Sequence, residues 1–121
     1  KLIDFGMATL ARKVRKELRG KDCYQAPEMH GRRRYDTYLV DAFALGVIMF
    51  ALATSIYPWA STRRRSCPFF DLLVSGGIRS VIRHRCLDAG WGDPVETVLS
   101  PELVDALEML LEASPARRAC C

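Results

Sequence analysis

The apolar positions fall into distinct patterns along the chain. From Leu39 to Ile56 hydrophobic residues run almost unbroken, with Asp41 near the start. No polar stripe divides the run, which predicts a core helix that is apolar all round because other elements cover it. A membrane span needs about 20 apolar residues, and the stretch after Asp41 is shorter, so no transmembrane span is expected. Further on, Ser100-Pro101-Glu102 sets an N-cap residue before a proline at the first helical position. Leu103, Val104, Leu107, Leu110 and Leu111 then recur on one face, predicting an amphipathic helix that stops near Ser114 because Pro115 cannot continue it. Between these helices, Phe69 to Val74 and Ile78 to Ile82 predict short helical segments interrupted by Gly76-Gly77. A loop follows through Gly90, Gly92 and Pro94. A strand pattern stands out only at Lys1 to Phe5, so the expected fold class is mainly α.

With 121 residues, 50% hydrophobic and 26% charged, the composition predicts one globular unit with a core. The net charge of +4 and the triplets Arg32-Arg33-Arg34 and Arg63-Arg64-Arg65 are compatible with acidic peptides, nucleotides, nucleic acid or anionic membrane. Charge alone selects none of these, and such triplets are commonly solvated loop residues. Five cysteines, Cys23, Cys67, Cys86, Cys120 and Cys121, show no Cys-x-x-Cys spacing and no accompanying His pair, which argues against a disulfide framework or a zinc site. A reducing, intracellular compartment, cytoplasmic or nuclear, is expected. The opening residues carry neither an initiator Met nor a signal-peptide pattern, so the chain is expected to be the interior of a longer protein.

Lys1-Leu2-Ile3-Asp4-Phe5-Gly6 joins an alternating apolar lead-in to a carboxylate, an aromatic and a glycine at a turn. The tripeptide alone is weak, but an ordered set follows it. Gly20-Lys21-Asp22-Cys23-Tyr24-Gln25-Ala26-Pro27-Glu28 comes first, then Tyr35-Asp36 and Asp41-Ala42-Phe43-Ala44-Leu45-Gly46-Val47, then Tyr57-Pro58-Trp59 and Pro115-Ala116-Arg117-Arg118. In this order the set resembles the protein kinase family, whose Asp-Phe-Gly and Ala-Pro-Glu motifs bound the activation segment. The resemblance spans nearly the whole chain. It implies the incomplete helical C-lobe of the kinase fold, with residues 1–28 as activation segment and 29–121 as the helical remainder.

The resemblance also implies roles. Asp4 would hold the Mg²⁺ that bridges the ATP phosphates, Phe5 would pack in the core beneath it, and Gly6 would give the motif its backbone freedom. Glu28 would form a buried ion pair with Arg118, anchoring a substrate-binding loop that includes Gly20, Lys21 and Tyr24. Asp41 would accept hydrogen bonds from the catalytic loop, a segment this sequence lacks, so the central helix should lose some of the surfaces that cover it. Tyr24, where tyrosine kinases tend to carry Trp, points to the Ser/Thr branch. Lys21, in place of the usual threonine, and Phe43 and Ala44, in place of the usual Trp and Ser, mark a divergent member.

The sequence holds no Gly-rich phosphate loop, no ATP-anchoring lysine, no αC glutamate and no His-Arg-Asp loop. No catalytic residue is therefore expected here, and the chain alone is expected to be inactive. Between Asp4 and Glu28 the only hydroxyl residues are Thr9 and Tyr24, whereas Arg12, Lys13, Arg15, Lys16, Arg19 and Lys21 are all cationic. An acidic partner or substrate could order such a segment by charge pairing. The Cys120-Cys121 pair does not fit the Cys-a-a-X prenylation pattern. The expected function is that of a Ser/Thr protein kinase using ATP and Mg²⁺ on a protein substrate, with no nucleic acid as partner. The alternative is a pseudokinase or truncated product that acts as a binding module.

Overall fold

The computed structural model describes residues 1, 3–87 and 92–119. The loop position at Gly90 and the pair Cys120-Cys121 lie outside the described residues. Three helices dominate: α1 (Thr37–Thr54), α2 (Pro68–His84) and α3 (Pro101–Leu110). The fold class is mainly α, in keeping with the helical part of a kinase C-lobe.

Helix α1 begins two residues before the apolar run, because Asp36 caps it: its carboxylate accepts from the Tyr38 backbone N–H at 3.0 Å. Ser55, in the left-handed region at φ 58°, ends it. The face carrying Ala42, Phe43, Gly46, Val47 and Phe50 is buried, while Tyr38, Leu45, Ile48 and Leu52 on the other side remain exposed. By length and composition alone α1 could cross a membrane, but its buried face packs on α3. At that crossing a Cβ on Gly46 would stand 2.8 Å from Leu111 Cγ, so only glycine allows this approach of the helices.

Helix α2 is two helical segments meeting at a kink, where Gly77 takes φ 72° and ψ −179°. This backbone is essentially reserved for glycine. Helix α3 starts as its sequence dictates, with Ser100 Oγ accepting from the Leu103 N–H at 3.2 Å. It ends at Leu110, four residues before Ser114. The Glu112 carbonyl, which a longer helix would use internally, instead accepts from Arg118 Nε at 2.9 Å, and the Glu112 carboxylate accepts from the Ser114 N–H.

The strand expected at Lys1 to Phe5 is not formed among the described residues of that stretch. Among the described residues of that stretch, Phe5 opens a short 3₁₀ turn (Phe5–Met7), and no other strand pairs with it. A strand needs a neighbour to take up its backbone groups. Among the described residues the strands are β1 (Lys13–Arg15) and β2 (Arg34–Asp36), an antiparallel pair in which Val14 lies opposite Tyr35. Each has three residues, too few for an alternating pattern to show in the sequence.

Candidate functional site

The segment from Gly20 to Glu28 is built as a tight, internally bonded loop. Gly20 takes φ 78°, a conformation glycine adopts without strain, and its carbonyl accepts from Gln25 Nε2 at 2.9 Å. The Tyr24 N–H donates to the Lys21 carbonyl at 3.0 Å, while the Lys21 side chain is exposed. The Tyr24 hydroxyl donates to that of Tyr57 at 3.0 Å, with the two rings edge to face. Donation to Tyr57, with burial as the lesser cause, pushes the Tyr24 phenol up to about 12, so it stays protonated.

A second segment, residues 57–62, holds this loop from below. Trp59 is 1% exposed, stacks on Phe43 with centroids 5.7 Å apart, meets Phe70 edge-on, and donates from Nε1 to the Cys23 carbonyl at 3.0 Å. Thr62 Oγ1 donates to the Gln25 carbonyl at 2.8 Å, so it accepts from His30 Nε2, also at 2.8 Å. The sequence offered Trp59 only as part of a motif, and neither Thr62 nor His30 carried any signal. Their importance lies in contacts more than 30 positions apart.

Burial, then the positive charge of Arg63, holds the His30 pKa below its usual value. A depressed histidine contributes stability that is fully present above the unfolded-state value near ~6.5 and is lost as pH falls through the lower folded value. Acidifying from about pH 7 to about pH 5 is expected to lower the melting temperature. The His30→Gln variant should show a flatter pH dependence over that window.

Glu28 and Arg118, 90 positions apart, meet in a two-point ion pair. Arg118 Nη1 donates to Glu28 Oε1 at 2.6 Å and Nη2 to Oε2 at 3.0 Å. The Arg118 side chain has no exposed surface and that of Glu28 is 13% exposed. Nη1 also donates to the Leu39 carbonyl at 2.8 Å, and the guanidinium lies 4.9 Å from the Phe43 ring centre. One cation thus ties the loop, the first turn of α1 and the turn after α3 together. Such a planar fork is a geometry lysine cannot reproduce.

Asp41 does not join this cluster. It lies on the first turns of α1 at the rim of a cavity of about 370 Å³, with Tyr24, Gln25, Met29, Tyr35 and Val40 in the wall. Its carboxylate accepts no hydrogen bond from a described residue. Although the residue as a whole is exposed, burial on the cavity side raises its pKa. The buried Gln25 Oε1 is likewise unpartnered.

Asp4 and Phe5 also stand apart. Asp4 takes φ 63° and is exposed, and it occupies the N-cap position of the 3₁₀ turn that holds Phe5 and Gly6. Phe5 is 69% exposed, which corrects the expectation that it packs in the core: no described element lies over it. Among the described residues no group of three His, Cys, Asp or Glu side chains could hold a metal. Asp4 offers one hard oxygen ligand. Mg²⁺ commonly takes one or two protein carboxylates and completes its shell with phosphates and water, so Asp4 fits as a single ligand of such an ion.

Comparison with known proteins gives a consistent picture. The protein kinase domain family matches residues 1–121. The chain is 37% identical to serine/threonine-protein kinase ULK3 of Homo sapiens over 120 residues, which is 98% of this chain and 22% of that protein. It is 32% identical over 120 residues to the Xenopus laevis protein of the same name, again 98% and 22%. Against CBL-interacting serine/threonine-protein kinase 12 of Arabidopsis thaliana it is 28% identical over 123 residues, with the same coverage. The chain thus spans 22% of the length of each of these relatives.

Proposed function

Because this chain belongs to the protein kinase domain family, we propose that it forms the helical part of a kinase that transfers the γ-phosphoryl group of ATP to a Ser or Thr hydroxyl of a protein substrate. The observation that carries this reading is the buried fork between Glu28 of the Ala-Pro-Glu motif and Arg118. It anchors the Glu28 end of the Gly20–Glu28 loop to α1 and to the turn after α3, the kind of support a substrate-positioning role requires. The names of the relatives, serine/threonine-protein kinases, support the choice of hydroxyl.

In this reading Asp4 holds Mg²⁺, which supplies charge neutralisation at the phosphates. Gly20, Lys21 and Tyr24 form the surface over which the substrate chain lies. The phosphate loop, lysine and His-Arg-Asp segment that the chemistry also needs are not among these 121 residues. The 370 Å³ cavity, with the unpartnered Asp41 carboxylate and Gln25 Oε1, and the exposed apolar face of α1 are where other parts of the domain would dock. Buried free thiols at Cys23 and Cys67 suit a reducing cytoplasmic or nuclear setting. The basic stretch around Lys13 to Lys16 extends the reading to an acidic substrate or partner.

The test is phosphate transfer by the full-length protein from γ-labelled ATP to peptide libraries. Labelled Ser/Thr peptides, with transfer lost in Asp4→Asn, are the expected result. Label on tyrosine alone would overturn the hydroxyl assignment. No transfer by a folded protein would leave the non-catalytic binding module as its function.

A further inference from the structure

The structure sorts the cations of the basic stretch. Arg12 is paired with Asp36 at 3.0 Å and Arg19 with Glu17 at 2.5 Å. Lys13, Arg15 and Arg34 have no ion pair among the described residues, and the β1–β2 pairing brings them onto one face. Val14 and Tyr35 are buried on the inner side of the ribbon, which leaves Lys13, Arg15 and Arg34 on the outer side. Arg15 sits directly opposite Arg34, an arrangement in which like charges repel. Arg15 is held there by donating from Nε to the Arg32 carbonyl at 3.1 Å, and Arg32 and Arg33 are exposed beside it.

Next to this face is a cavity of about 320 Å³ between the ribbon and the turn at Pro115, with Lys13 and Arg34 in its wall. The carboxylates in the same wall, Glu28 and Asp36, are already matched by Arg118 and Arg12. The local balance is therefore positive around a recess large enough for an acidic side chain.

We propose that the outer face of the β1–β2 ribbon is a docking site for a carboxylate-rich peptide segment of a partner protein, with an acidic side chain between Arg15 and Arg34 and another in the recess beside Lys13. An anion bridging the two arginines turns their repulsion into paired attraction, and the face supplies forked donors suited to carboxylates. A peptide fits because the cations border a recess on a ribbon three residues long, a small surface compared with what a membrane or a nucleic-acid duplex presents. The proposal locates the acidic partner suggested above and rests on that reading.

The experiment is fluorescence anisotropy of a labelled oligoglutamate peptide titrated with the full-length protein, which requires no catalysis. The double variant Arg15→Ala/Arg34→Ala is expected to weaken binding at least about tenfold and to reduce its salt dependence. Arg34→Glu sets a carboxylate opposite Arg15, which favours the ribbon, and it should abolish binding while leaving the melting temperature unchanged or higher. Equal losses from Arg64→Ala/Arg65→Ala with no effect of the ribbon variants would overturn the location and leave the acidic-partner reading standing. No binding by the parent protein would overturn both. Full competition by a single-stranded oligonucleotide of equal charge would overturn the peptide assignment in favour of a general polyanion surface.

Discussion

Replacing Arg118 by methionine is expected to destabilise the protein by about 3–5 kcal/mol, the range for removing one partner of a buried ion pair. The loss would exceed that of an ordinary charge deletion, because Glu28 and the Leu39 and Glu112 carbonyls all lose a donor together. Arg118→Lys should recover only part of it, since an ammonium cannot donate to both Glu28 oxygens and to two carbonyls in the same plane. Denaturant unfolding of the single variants and of Glu28→Gln/Arg118→Met gives the coupling between them. Additive losses would mean that the pair does not act as a unit, and the anchoring role of Glu28 would fall with it.

Truncating Trp59 should be comparably severe. Trp59→Ala empties the space between Phe43 and Phe70, and large-to-small changes at such a site cost about 3–5 kcal/mol. Trp59→Phe keeps most of the packing but leaves the Cys23 carbonyl without its donor, which should cost about 1–3 kcal/mol. The informative comparison is local. In Trp59→Phe, amide exchange should accelerate between Lys21 and Gln25 more than in the middle of α1, because the indole N–H is one of the bonds that hold the loop. Uniform acceleration would make Trp59 a packing residue only, without a part in shaping the loop.

Both effects originate in contacts between segments distant in sequence, whereas the elements themselves were legible locally. Ser100 and Pro101 signalled the start of α3 because capping is chemistry confined to one turn. Gly76-Gly77 signalled the break in α2 because only glycine takes the backbone found at Gly77. The apolar run signalled α1, and its ends moved by two residues because Asp36 and Ser55 supply the caps. The strand pattern at Lys1 to Phe5 misled for the reason that applies to strands in general. Alternation describes a face, and a strand exists only where a partner backbone accepts its hydrogen bonds.

The sequence alone determined the mainly α class, the helix centres, the order of motifs and, through that order, the family. These are set by one-dimensional periodicity and by residue types with strong backbone preferences. Only the tertiary structure decided that Trp59, Thr62 and His30 hold up the Gly20–Glu28 loop, and that Phe5 lies uncovered. It also decided that of the cations in the basic stretch Arg12 and Arg19 are paired while Lys13 and Arg15 share a face with Arg34. Burial, pairing and charge balance depend on which distant groups arrive within about 3–4 Å of one another, and such distances do not exist until the chain has closed its loops.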